Sequence, residues 1–313
     1  MKIAPRQLSI FVAIASEGGI TAAAEKLHLT TPAVSMALAE LERLIGHALF
    51  DRHKNRLYIN GLGRRLLPLA DELLTRQDEI ETLFTSDDAA YRGLLRIGAS
   101  QTIGNQLLPW LLRDFRDQTG HREQSVLLAN SRDVCSALAR FELDIGLIEG
   151  NSTNAELETL EWCLDQLIIV AGRDHPLSQA EGPIPLGALE NQDWVLREEG
   201  SGTREQFMRS VASRLERWTA SLELNTAEAL INATAAGLGL TCVSQREADH
   251  ALKDGRLEQL HIVLEEGETL SIQRYFRLVV HRNKYRSALI QRFITFCMEH
   301  EMATTPFATD YRT

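Results

Sequence analysis

The residues from Thr30 to Leu49, TTPAVSMALAELERLIGHAL, form the stretch that most constrains how this chain folds. Thr31 has a hydroxyl that can cap a helix, and Pro32 then occupies the first helical position, where its missing N–H costs nothing. Apolar side chains recur at spacings of four, three and four residues, at Val34, Leu38, Leu41 and Ile45. The stretch therefore predicts a helix with one apolar face. Such a helix is either a core helix of a small helical domain or an element that reads a nucleic-acid groove with the side chains at its start.

The segments before this helix favour the groove-reading interpretation. Residues 5–17 have the apolar spacing of an amphipathic helix, and Gly18 and Gly19 end it. Thr21 can cap a short second helix, and residues 28–30 then turn tightly into the third. Two short helices, a tight turn and a third helix with an exposed start make a helix-turn-helix, a motif that reads the major groove of DNA. The residues of the third helix predicted to contact DNA are Thr30, Thr31, Pro32, Ser35 and Met36.

A short basic segment follows the third helix, on a chain whose formal net charge is −10. That net charge argues against a protein that binds nucleic acid over its whole surface. Residues 52–65, however, contain five Lys or Arg and no acidic residue. The sequence here predicts two short strands joined by a polar turn at residues 53–55. This is a wing whose Arg52, Lys54 and Arg56 can contact DNA phosphates. A solvated charged turn is the alternative.

A long helix is predicted from Gly61 to about Phe84, with Asn60 as its cap. Its apolar residues keep close to a seven-residue repeat, and such a seam needs a partner helix. The residues of the seam are Leu62, Leu66, Leu69, Leu73, Ile80 and Leu83. We predict dimerisation through the same helix of a second chain, and packing within its own domain is the alternative. Pro68 is expected to bend or break the first turns of this helix.

The character of the sequence changes after a polar linker at residues 86–93. From residue 94 onward, short apolar runs alternate with helical patterns, which predicts βαβ units and mainly parallel sheets. The predicted strands cover residues 94–99, 124–129, 144–149, 167–172, 194–198, 221–224, 240–245 and 275–281. Two such halves make a two-lobed α/β body with a cleft. The predicted domains are 1–60, a linker helix at 61–85 and a two-lobed domain at 94–313, with lobe I at about 94–163 and 270–300 and lobe II at about 164–269.

Hydroxyl and amide side chains lie at four predicted strand-to-helix junctions. Ser, Thr and Asn are good helix caps, and Thr203 with Gln206 matches a capping box, so each junction has a purely structural explanation. Open α/β sheets, however, bind ligands at the carboxyl ends of their strands, where helix N-termini favour an anion. Arg197 or Arg204 offers a countercharge, and Glu149 is expected to repel a bare anion. The predicted ligand-binding residues are Ser100, Gln101, Thr102, Asn130, Ser131, Glu149, Arg197, Gly202 and Thr203.

Other function classes find little support in the sequence. It contains no H-E-x-x-H, G-x-S-x-G or Walker A motif and no Cys/His set at metal-ligand spacing. An enzyme is therefore not expected, and neither is a cofactor apart from a small-molecule ligand. The four cysteines lie far apart, although a redox pair of Cys163 with Cys242 stays open. No apolar run approaches the length of a membrane span, and the N-terminus lacks the pattern of a signal peptide. We expect a cytoplasmic protein without a membrane partner.

The chain from Arg6 to about Glu299 resembles the LysR-type transcriptional regulators. The similarity is strongest in the helix-turn-helix, in the P-A-V-S that begins at Pro32, in the L-E pair at residues 41–42 and in the L-F-x-R that ends at Arg52. The resemblance implies a winged helix-turn-helix and a linker helix that dimerises. It further implies a two-lobed effector domain like a type 2 periplasmic binding protein.

Three segments, SQTIGNQLLPWLL, DIGLIEG and LREEGSGTRE, resemble the subgroup that contains the YeiE-type and RuBisCO-operon regulators. Relatives there and among the CysB-type members respond to small anions or small metabolites, which implies an effector of that kind. The chain also departs from the commonest family pattern, with Thr30 and Thr31 where many members have Ser-Gln and Met36 where many have Arg or Gln. Long side chains that read guanine or adenine are therefore few. We expect thymine-methyl contacts and DNA shape to contribute more of the specificity.

These observations predict a DNA-binding transcriptional regulator whose two-lobed domain senses a small oxyanion or carboxylate. The resemblance implies a homodimer or homotetramer that binds double-stranded promoter DNA, changes its bend and recruits RNA polymerase. A solute-binding or sensor protein without direct DNA binding is the alternative, and it would leave roughly the first ninety residues without a role.

Overall fold

The computed structural model describes residues 3–53, 56–83, 91, 93–265 and 267–300. Its N-terminal part consists of three helices, a two-stranded hairpin and a long fourth helix. These are α1 (Pro5–Glu17), α2 (Ile20–Lys26), α3 (Thr31–Ile45), β1 (Phe50–His53), β2 (Arg56–Ile59) and α4 (Gly61–Leu83). The hairpin is antiparallel, with Phe50 opposite Ile59. The predicted winged helix-turn-helix is confirmed.

Two predicted helix starts are wrong by one or two residues. The cap of α3 is Thr30, whose hydroxyl accepts a hydrogen bond from the N–H of Ala33 at 3.4 Å. If Thr31 were the cap, its hydroxyl would have to accept from the N–H of Val34. That N–H instead donates to the carbonyl of Thr30, so Thr31 is already a helical residue. Helix α2 begins at Ile20, before Thr21, because the first helical bond runs from the N–H of Ala23 to the carbonyl of Gly19.

The apolar face predicted for α3 forms the core of the N-terminal domain. Val34, Leu38 and Leu41 are buried, and they pack with Phe11 of α1 among the apolar residues of the hairpin. The carboxylate of Glu42 accepts a hydrogen bond from the N–H of Leu49 at 2.7 Å. This bond ties the end of α3 to the start of the wing, so the wing keeps a fixed position beside the helix.

Helix α4 is one continuous helix, so of the bend or break expected at Pro68 the break does not occur. Asn60 caps it as predicted, because its side-chain oxygen accepts hydrogen bonds from the N–H groups of Leu62 and Gly63 at 3.0 and 2.9 Å. The buried Leu67 lies one residue before the proline and packs in the core of the N-terminal domain. Packing of this kind holds the helix together where the proline removes one backbone bond.

The predicted dimer seam of α4 has two different environments. Leu66 is half-buried and packs against the core of its own domain. The other described members of the seam are exposed, namely Leu62, Leu69, Leu73 and Ile80. The side chain of Leu83 lies outside the described residues. The alternative of packing within the domain therefore applies to Leu66, and an unpartnered apolar face remains on the rest of the helix.

The second part of the chain alternates strands and helices. Its elements are β3 (Leu95–Ser100), α5 (Gln101–Gln106), α6 (Leu108–Thr119), β4 (Gln124–Ala129), α7 (Ser131–Ala139), β5 (Ile145–Glu149), β6 (Leu157–Gly172), β7 (Ile184–Pro185), β8 (Asp193–Arg197), α8 (Gly202–Ser210), β9 (Thr219–Leu224), α9 (Ala227–Ala235), β10 (Thr241–Ser244), α10 (Gln245–Lys253), β11 (Leu257–Gln259), β12 (Ile262–Val263), β13 (Ile272–His281) and α11 (Ala288–Glu299). Every predicted strand overlaps an observed one.

The main sheet is mixed, so the expectation of mainly parallel sheets holds only in part. Its strand order is β10-β6-β13-β5-β3-β4, with β11 also on β6. Only β3 with β4 and β3 with β5 are parallel pairs within this sheet. The pairs of β13 with β5, β13 with β6 and β10 with β6 are antiparallel. The strands β8 and β9 form a separate parallel pair.

Two long strands, β6 and β13, belong to both halves of this domain. They pair along their whole shared length, from Leu157 opposite His281 to Leu167 opposite Ile272, and β6 then continues against β10. One apolar core lies around Phe115, β3, β5 and α11, and a second lies around Trp194, β8, β10 and α8. The domain thus has two lobes joined by crossing strands, as predicted.

A group of three buried charges and one half-buried arginine docks α4 on lobe I, and we call it the docking cluster. It consists of Asp71 of α4 with Arg96, Asp144 and Lys284 of the two-lobed domain. The ammonium of Lys284 lies 2.8 Å from the carboxylate of Asp71 and 3.0 Å from that of Asp144. Arg96 lies 2.7 Å from Asp144 and 3.7 Å from Asp71. Although burial opposes it, the positive charges of Lys284 and Arg96 hold the pKa of Asp144 below its ordinary value.

Among the helices that the structure describes, none is by itself both long and apolar enough to cross a membrane. The helices α1 and α2 meet that requirement only when taken together, across a bend of 117°.

Candidate DNA-binding surface and effector site

The start of α3 lies on the surface of the N-terminal domain. Of the residues predicted to contact DNA, Thr30, Thr31 and Pro32 are exposed, and Met36 is 74% exposed. Ser35 is half-buried on the same turn of the helix. An α-helix enters the major groove with the side chains at its start, so these residues lie where a reading helix needs them.

The wing lies next to this helix and lines the same groove. A groove of about 770 Å³ is bordered by Thr31 and Ser35 of α3 and by Arg52 of β1, which is exposed. Lys54 and the side chain of Arg56 lie outside the described residues, so their phosphate contacts stay a prediction. Arg52 is therefore the predicted wing contact that the structure places beside α3.

Glu149 occupies the centre of the region where the two lobes meet. Its carboxylate accepts a hydrogen bond from the N–H of Thr102 at 3.2 Å and another from the hydroxyl of Thr203 at 3.0 Å. The guanidinium of Arg274 donates a third at 2.7 Å. Thr102 belongs to lobe I, Thr203 belongs to lobe II, and Arg274 lies on the crossing strand β13. We call this group of four buried residues the interlobe junction.

Arg274 has a second carboxylate partner in Asp165. Its Nε donates to Asp165 at 2.8 Å, and the two residues lie directly opposite each other on β13 and β6. Its Nη1 also donates to the hydroxyl of Thr203 at 2.9 Å. Asp165 accepts a further hydrogen bond from the hydroxyl of Ser244 at 2.8 Å. The arginine is 1% exposed, so its charge is balanced inside the protein by two carboxylates.

The carboxyl groups of this region differ strongly in their affinity for protons. Burial alone would raise the pKa of Glu149, but the charge of Arg274 and the hydrogen bond from Thr102 lower it to about 2. Burial, together with the negative charge of Glu149, raises the pKa of Glu247 to about 8. Glu247 lies in the first turn of α10, and that helix packs on α5 of the other lobe. At neutral pH the region therefore holds an ionised Glu149 and a protonated Glu247.

Several other predicted ligand-binding residues support the backbone around Glu149. The hydroxyl of Ser131 bonds both the carbonyl and the N–H of Glu149, at 3.1 and 3.2 Å. A Cβ at Gly202 would lie 2.4 Å from the carbonyl oxygen of Glu149, so only glycine allows α8 to come this close. Asn130 caps α7 by accepting from the N–H of Asp133. The half-buried Gln101 is not among the described hydrogen-bond partners of the Glu149 carboxylate.

Ser100 and Ser201 have buried hydroxyls without a hydrogen-bond partner in the described part of the chain. Neither hydroxyl caps the helix that follows it. Ser100 ends β3 in lobe I and Ser201 precedes α8 in lobe II, so each lobe contributes one such group. Arg197, which is buried on β8, pairs with Glu198 at 2.9 Å. Buried polar groups without partners are uncommon in proteins and mark a place where a ligand or water can bind.

Two expectations about α8 are wrong. Thr203 and Gln206 do not form a capping box, because α8 already begins at Gly202 and the hydroxyl of Thr203 bonds Glu149. Gln206 instead bonds Ser210 and the carbonyl of Gln273, at 3.0 and 3.2 Å. Arg204 is not a free countercharge, because it pairs with Glu223.

Sequence reasoning missed Arg274, Asp165, Ser244 and Glu247. The first two had a signal, since the residues two positions before and after Arg274 on β13 are buried and apolar, which places the arginine on the inward face. Asp165 similarly precedes Leu167 and Ile169 on one face of β6. Opposite charges at inward positions of two strands predict a buried ion pair once the strands are known to be neighbours.

The cysteines give no support to the redox alternative. Cys242 on β10 lies opposite Ile169 of β6, and Cys163 lies six residues earlier on that strand. At about 3.3 Å per residue the two are roughly 20 Å apart, whereas a disulfide needs Cα atoms within about 7 Å. Burial also raises the pKa of Cys242 to about 12, which keeps the thiol protonated and unreactive.

A winged helix-turn-helix joined by a long helix to a two-lobed domain with a polar junction defines a DNA-binding regulator with a ligand-sensing domain. The chain belongs to the LysR family of such regulators. Residues 5–64 match the family model described as "Bacterial regulatory helix-turn-helix protein, lysR family", and residues 88–301 match that of the "LysR substrate binding domain". Members of this family are transcriptional regulators and not enzymes, so the predicted class is confirmed.

Two curated relatives confirm the resemblance to the YeiE-type and RuBisCO-operon regulators. The chain is 37% identical to the uncharacterized HTH-type transcriptional regulator YeiE of Escherichia coli strain K12, over 95% of this chain and 98% of the relative. It is 30% identical to the RuBisCO operon transcriptional regulator of Allochromatium vinosum, over 95% of this chain and 96% of the relative.

Solved structures support the fold. A full-length OxyR variant from Pseudomonas aeruginosa matches with a TM-score of 0.70 at 21% identity, over 95% of this chain and 94% of that one. The regulatory domain of CcmR from Synechocystis PCC6803, in complex with 2-PG, matches with a TM-score of 0.58 at 26% identity. That match covers 69% of this chain and 99% of the CcmR domain.

Proposed function

We propose that this LysR-type regulator senses a small oxyanion or carboxylate at the interlobe junction and transmits its binding to promoter DNA. The observation that carries the proposal is the pair of buried, unpartnered hydroxyls of Ser100 and Ser201, one from each lobe. They lie two residues before Thr102 and Thr203, which already donate to a carboxylate. Hydroxyl, N–H and guanidinium donors together suit an oxyanion. The CcmR domain, which shares the fold, was solved with 2-PG, a small anion.

A thermal-shift experiment with the full chain tests this assignment. Sulfate, phosphate, acetate and 2-PG are each titrated at constant ionic strength, and at least one should raise the melting temperature with saturation. A ligand at 100 times its dissociation constant stabilises the native state by about 2.7 kcal/mol, which is readily detected. The double variant Ser100→Ala, Ser201→Ala should lose this response while keeping its stability, because both hydroxyls lack partners.

The matched control for this variant is Ser213→Ala, an exposed helical serine whose hydroxyl bonds only the carbonyl of Arg209. It should respond to the anion as the wild type does. The assignment fails if no anion stabilises the wild type, or if the Ser100 and Ser201 double variant responds in full.

We infer that Thr31 and Ser35 contact bases or phosphates in the major groove while Arg52 holds a neighbouring phosphate. Their shared groove between α3 and the wing supports this. Ser35→Ala should weaken operator binding several-fold, since one hydrogen bond contributes about 1 kcal/mol. Arg52→Ala should reduce the salt dependence of binding by about one released counterion. Gel shifts with the upstream region of its own gene measure both, and an unchanged affinity of both variants contradicts the surface.

Assembly follows from the exposed face of α4. The side chains of Leu62, Leu69, Leu73 and Ile80 form a row that is exposed in one chain, and the same row of a second chain covers it in the proposed dimer. Two dimers joined through their effector domains make the proposed homotetramer, which presents its recognition helices to successive major grooves.

The response to ligand passes through the crossing strands β6 and β13. A ligand that favours one relative orientation of the lobes changes how the effector domains pack, and hence the spacing of the DNA-binding pairs. The result is a change in DNA bend and in recruitment of RNA polymerase. Because the partner is promoter DNA, the proposed location is the cytoplasm. A chain without residues 1–60 should not shift promoter DNA, and a retained shift contradicts this function.

A further inference from the structure

The interlobe junction is already occupied by a carboxylate of the chain itself. Glu149 takes one donor from each lobe, the N–H of Thr102 at 3.2 Å and the hydroxyl of Thr203 at 3.0 Å. It also takes the guanidinium of Arg274 at 2.7 Å. A backbone N–H, a hydroxyl and an arginine that converge from different elements are the donors that recognise a free oxyanion in proteins.

Charge balance opposes the binding of a second anion beside an unmoved Glu149. The charge of Arg274 is balanced by Glu149 and Asp165, and Arg197 is paired with Glu198. Arg246, which is largely buried, lies 3.7 Å from Asp165, so Arg274 and Arg246 together only balance Glu149 and Asp165. A further anion therefore adds a net negative charge while Glu149 stays in place, although the buried Nη1 of Arg246 has no hydrogen-bond partner in the described part of the chain. The added anion would face an ionised carboxylate in a region from which water is largely excluded, where repulsion is strong.

The backbone of Glu149 is fixed, whereas its carboxylate is held only through the three donors. Both backbone polar groups of this residue bond the hydroxyl of Ser131, and α8 presses on its carbonyl at Gly202. Release of the carboxylate therefore requires a rotation of the side chain and no shift of β5. Such a rotation frees Thr102, Thr203 and Arg274 at the same time. Ser201, whose buried hydroxyl has no partner in the described part of the chain, precedes Thr203 by two residues.

We propose that the carboxylate of Glu149 is a built-in competitor of the effector. It bridges the two lobes when no ligand is bound, and the anionic effector binds by displacing it from Thr102, Thr203 and Arg274. Residue 149 then sets the effector concentration at which the protein responds. This inference rests on the proposed sensing of an anion at the junction.

Acetate is a direct probe of the competitor. The substitution Glu149→Ala removes one methylene carbon and the carboxylate, and acetate consists of one methyl carbon and a carboxylate, so it can fill the vacated position. The full-length variant should bind acetate with saturation in thermal-shift and calorimetric titrations, with a half-saturating concentration at least tenfold below that of the wild type. Sodium chloride at equal ionic strength controls for salt, and Glu258→Ala, an exposed carboxylate on β11, is the matched variant that should behave as the wild type.

A second variant keeps the test decisive if Glu149→Ala folds poorly. Glu149→Gln preserves the size of the side chain but loses its charge, so Arg274 holds it less tightly. Sulfate should then bind at least tenfold more tightly than to the wild type.

The two proposals fail differently. If sulfate or another anion binds the wild type, but Glu149→Ala gains no acetate affinity and Glu149→Gln gains no sulfate affinity, the competitor is overturned and anion sensing stands. If Glu149→Ala binds acetate while the wild type responds to no anion, the substitution has created a site that the native protein does not offer, and both proposals are overturned. If neither the wild type nor the variants bind any anion, both proposals are overturned.

Discussion

Lys284→Met tests whether buried charges fix the effector domain to α4. The side chain of Lys284 is 1% exposed, and its ammonium lies 2.8 Å from Asp71 and 3.0 Å from Asp144. Methionine has a similar length and no charge, so the substitution removes the shared cation and leaves both carboxylates buried. Removing one partner of a buried pair costs about 3–5 kcal/mol. Arg96 still lies 2.7 Å from Asp144, so the substitution mainly leaves Asp71 without a close cation. We therefore expect the free energy of unfolding to fall by about 3 kcal/mol.

Urea unfolding followed by tryptophan fluorescence measures this loss, because all four tryptophans lie in the effector domain. The control is Lys253→Met. The side chain of Lys253 is 65% exposed, and its ammonium pairs with Asp249 at 3.0 Å one helical turn away. Pairs of that kind contribute about 0.2–1 kcal/mol. The Lys284 variant should therefore unfold at clearly lower urea concentration than the Lys253 variant.

The double variant Asp71→Asn, Lys284→Met separates charge pairing from packing. Removing both members leaves Asp144 paired with Arg96, so the double variant should be more stable than the sum of the two single losses predicts. The reasoning is refuted if Lys284→Met costs less than about 1 kcal/mol, or if the two single losses simply add.

Two further predictions concern the protonated carboxyl of the effector domain and the face of α4. Glu247 has a pKa near 8, so between about pH 5 and pH 8 the native state keeps a proton that the unfolded chain releases, and stability falls as pH rises through that window. Glu247→Gln should remove this slope, which is at most about 1.4 kcal/mol per pH unit, and equal pH profiles of urea unfolding would contradict the assignment. Leu73→Glu should break the α4 interface and reduce the mass of the assembly in sedimentation, whereas Leu238→Glu, at a similarly exposed leucine of the effector domain, should keep the wild-type mass. An unchanged mass for Leu73→Glu would place the interface elsewhere.

Local patterns were enough to predict most of the elements. The spacing of Val34, Leu38 and Leu41 predicts the buried face of α3, and the structure buries all three. Apolar runs predict β3 and β5 because both strands lie inside the sheet. The first half of β6 escaped prediction because residues 158–164, which include Glu158 and Glu161, are half-buried or exposed and lack an apolar run. In β6 the apolar run appears only where the strand is buried, whereas β4 was predicted from an apolar run whose residues are exposed, so such a run does not by itself report burial.

The candidate site was predictable only where local chemistry marks it. Hydroxyls at strand ends indicated Ser100, Thr102 and Thr203, which the structure places at or beside the junction. The expected repulsion between Glu149 and an anion stays a prediction, and it left out the partner Arg274, which lies 125 residues away in sequence. Only the pairing of β13 with β5 and β6 brings these charges together, and strand order cannot be read from the residues of one strand.

The same strand order connects the junction with the docking cluster. Three adjacent strands connect the two places, namely β13, β5 and β3. One end of each strand carries a residue of the effector region, and a residue that docks α4 lies at or just beyond the other end. The pairs are Arg274 with Lys284, Glu149 with Asp144, and Ser100 with Arg96. On β3 and β5 the two ends are roughly 15 Å apart. Close-packed strands move as units rather than bend locally, so a ligand that rearranges Glu149 and Arg274 acts on strands whose far ends hold Asp144 and Lys284. Effector binding and the docking of α4 are therefore expected to be linked, and Lys284→Met should change the anion affinity of the junction although it touches no ligand.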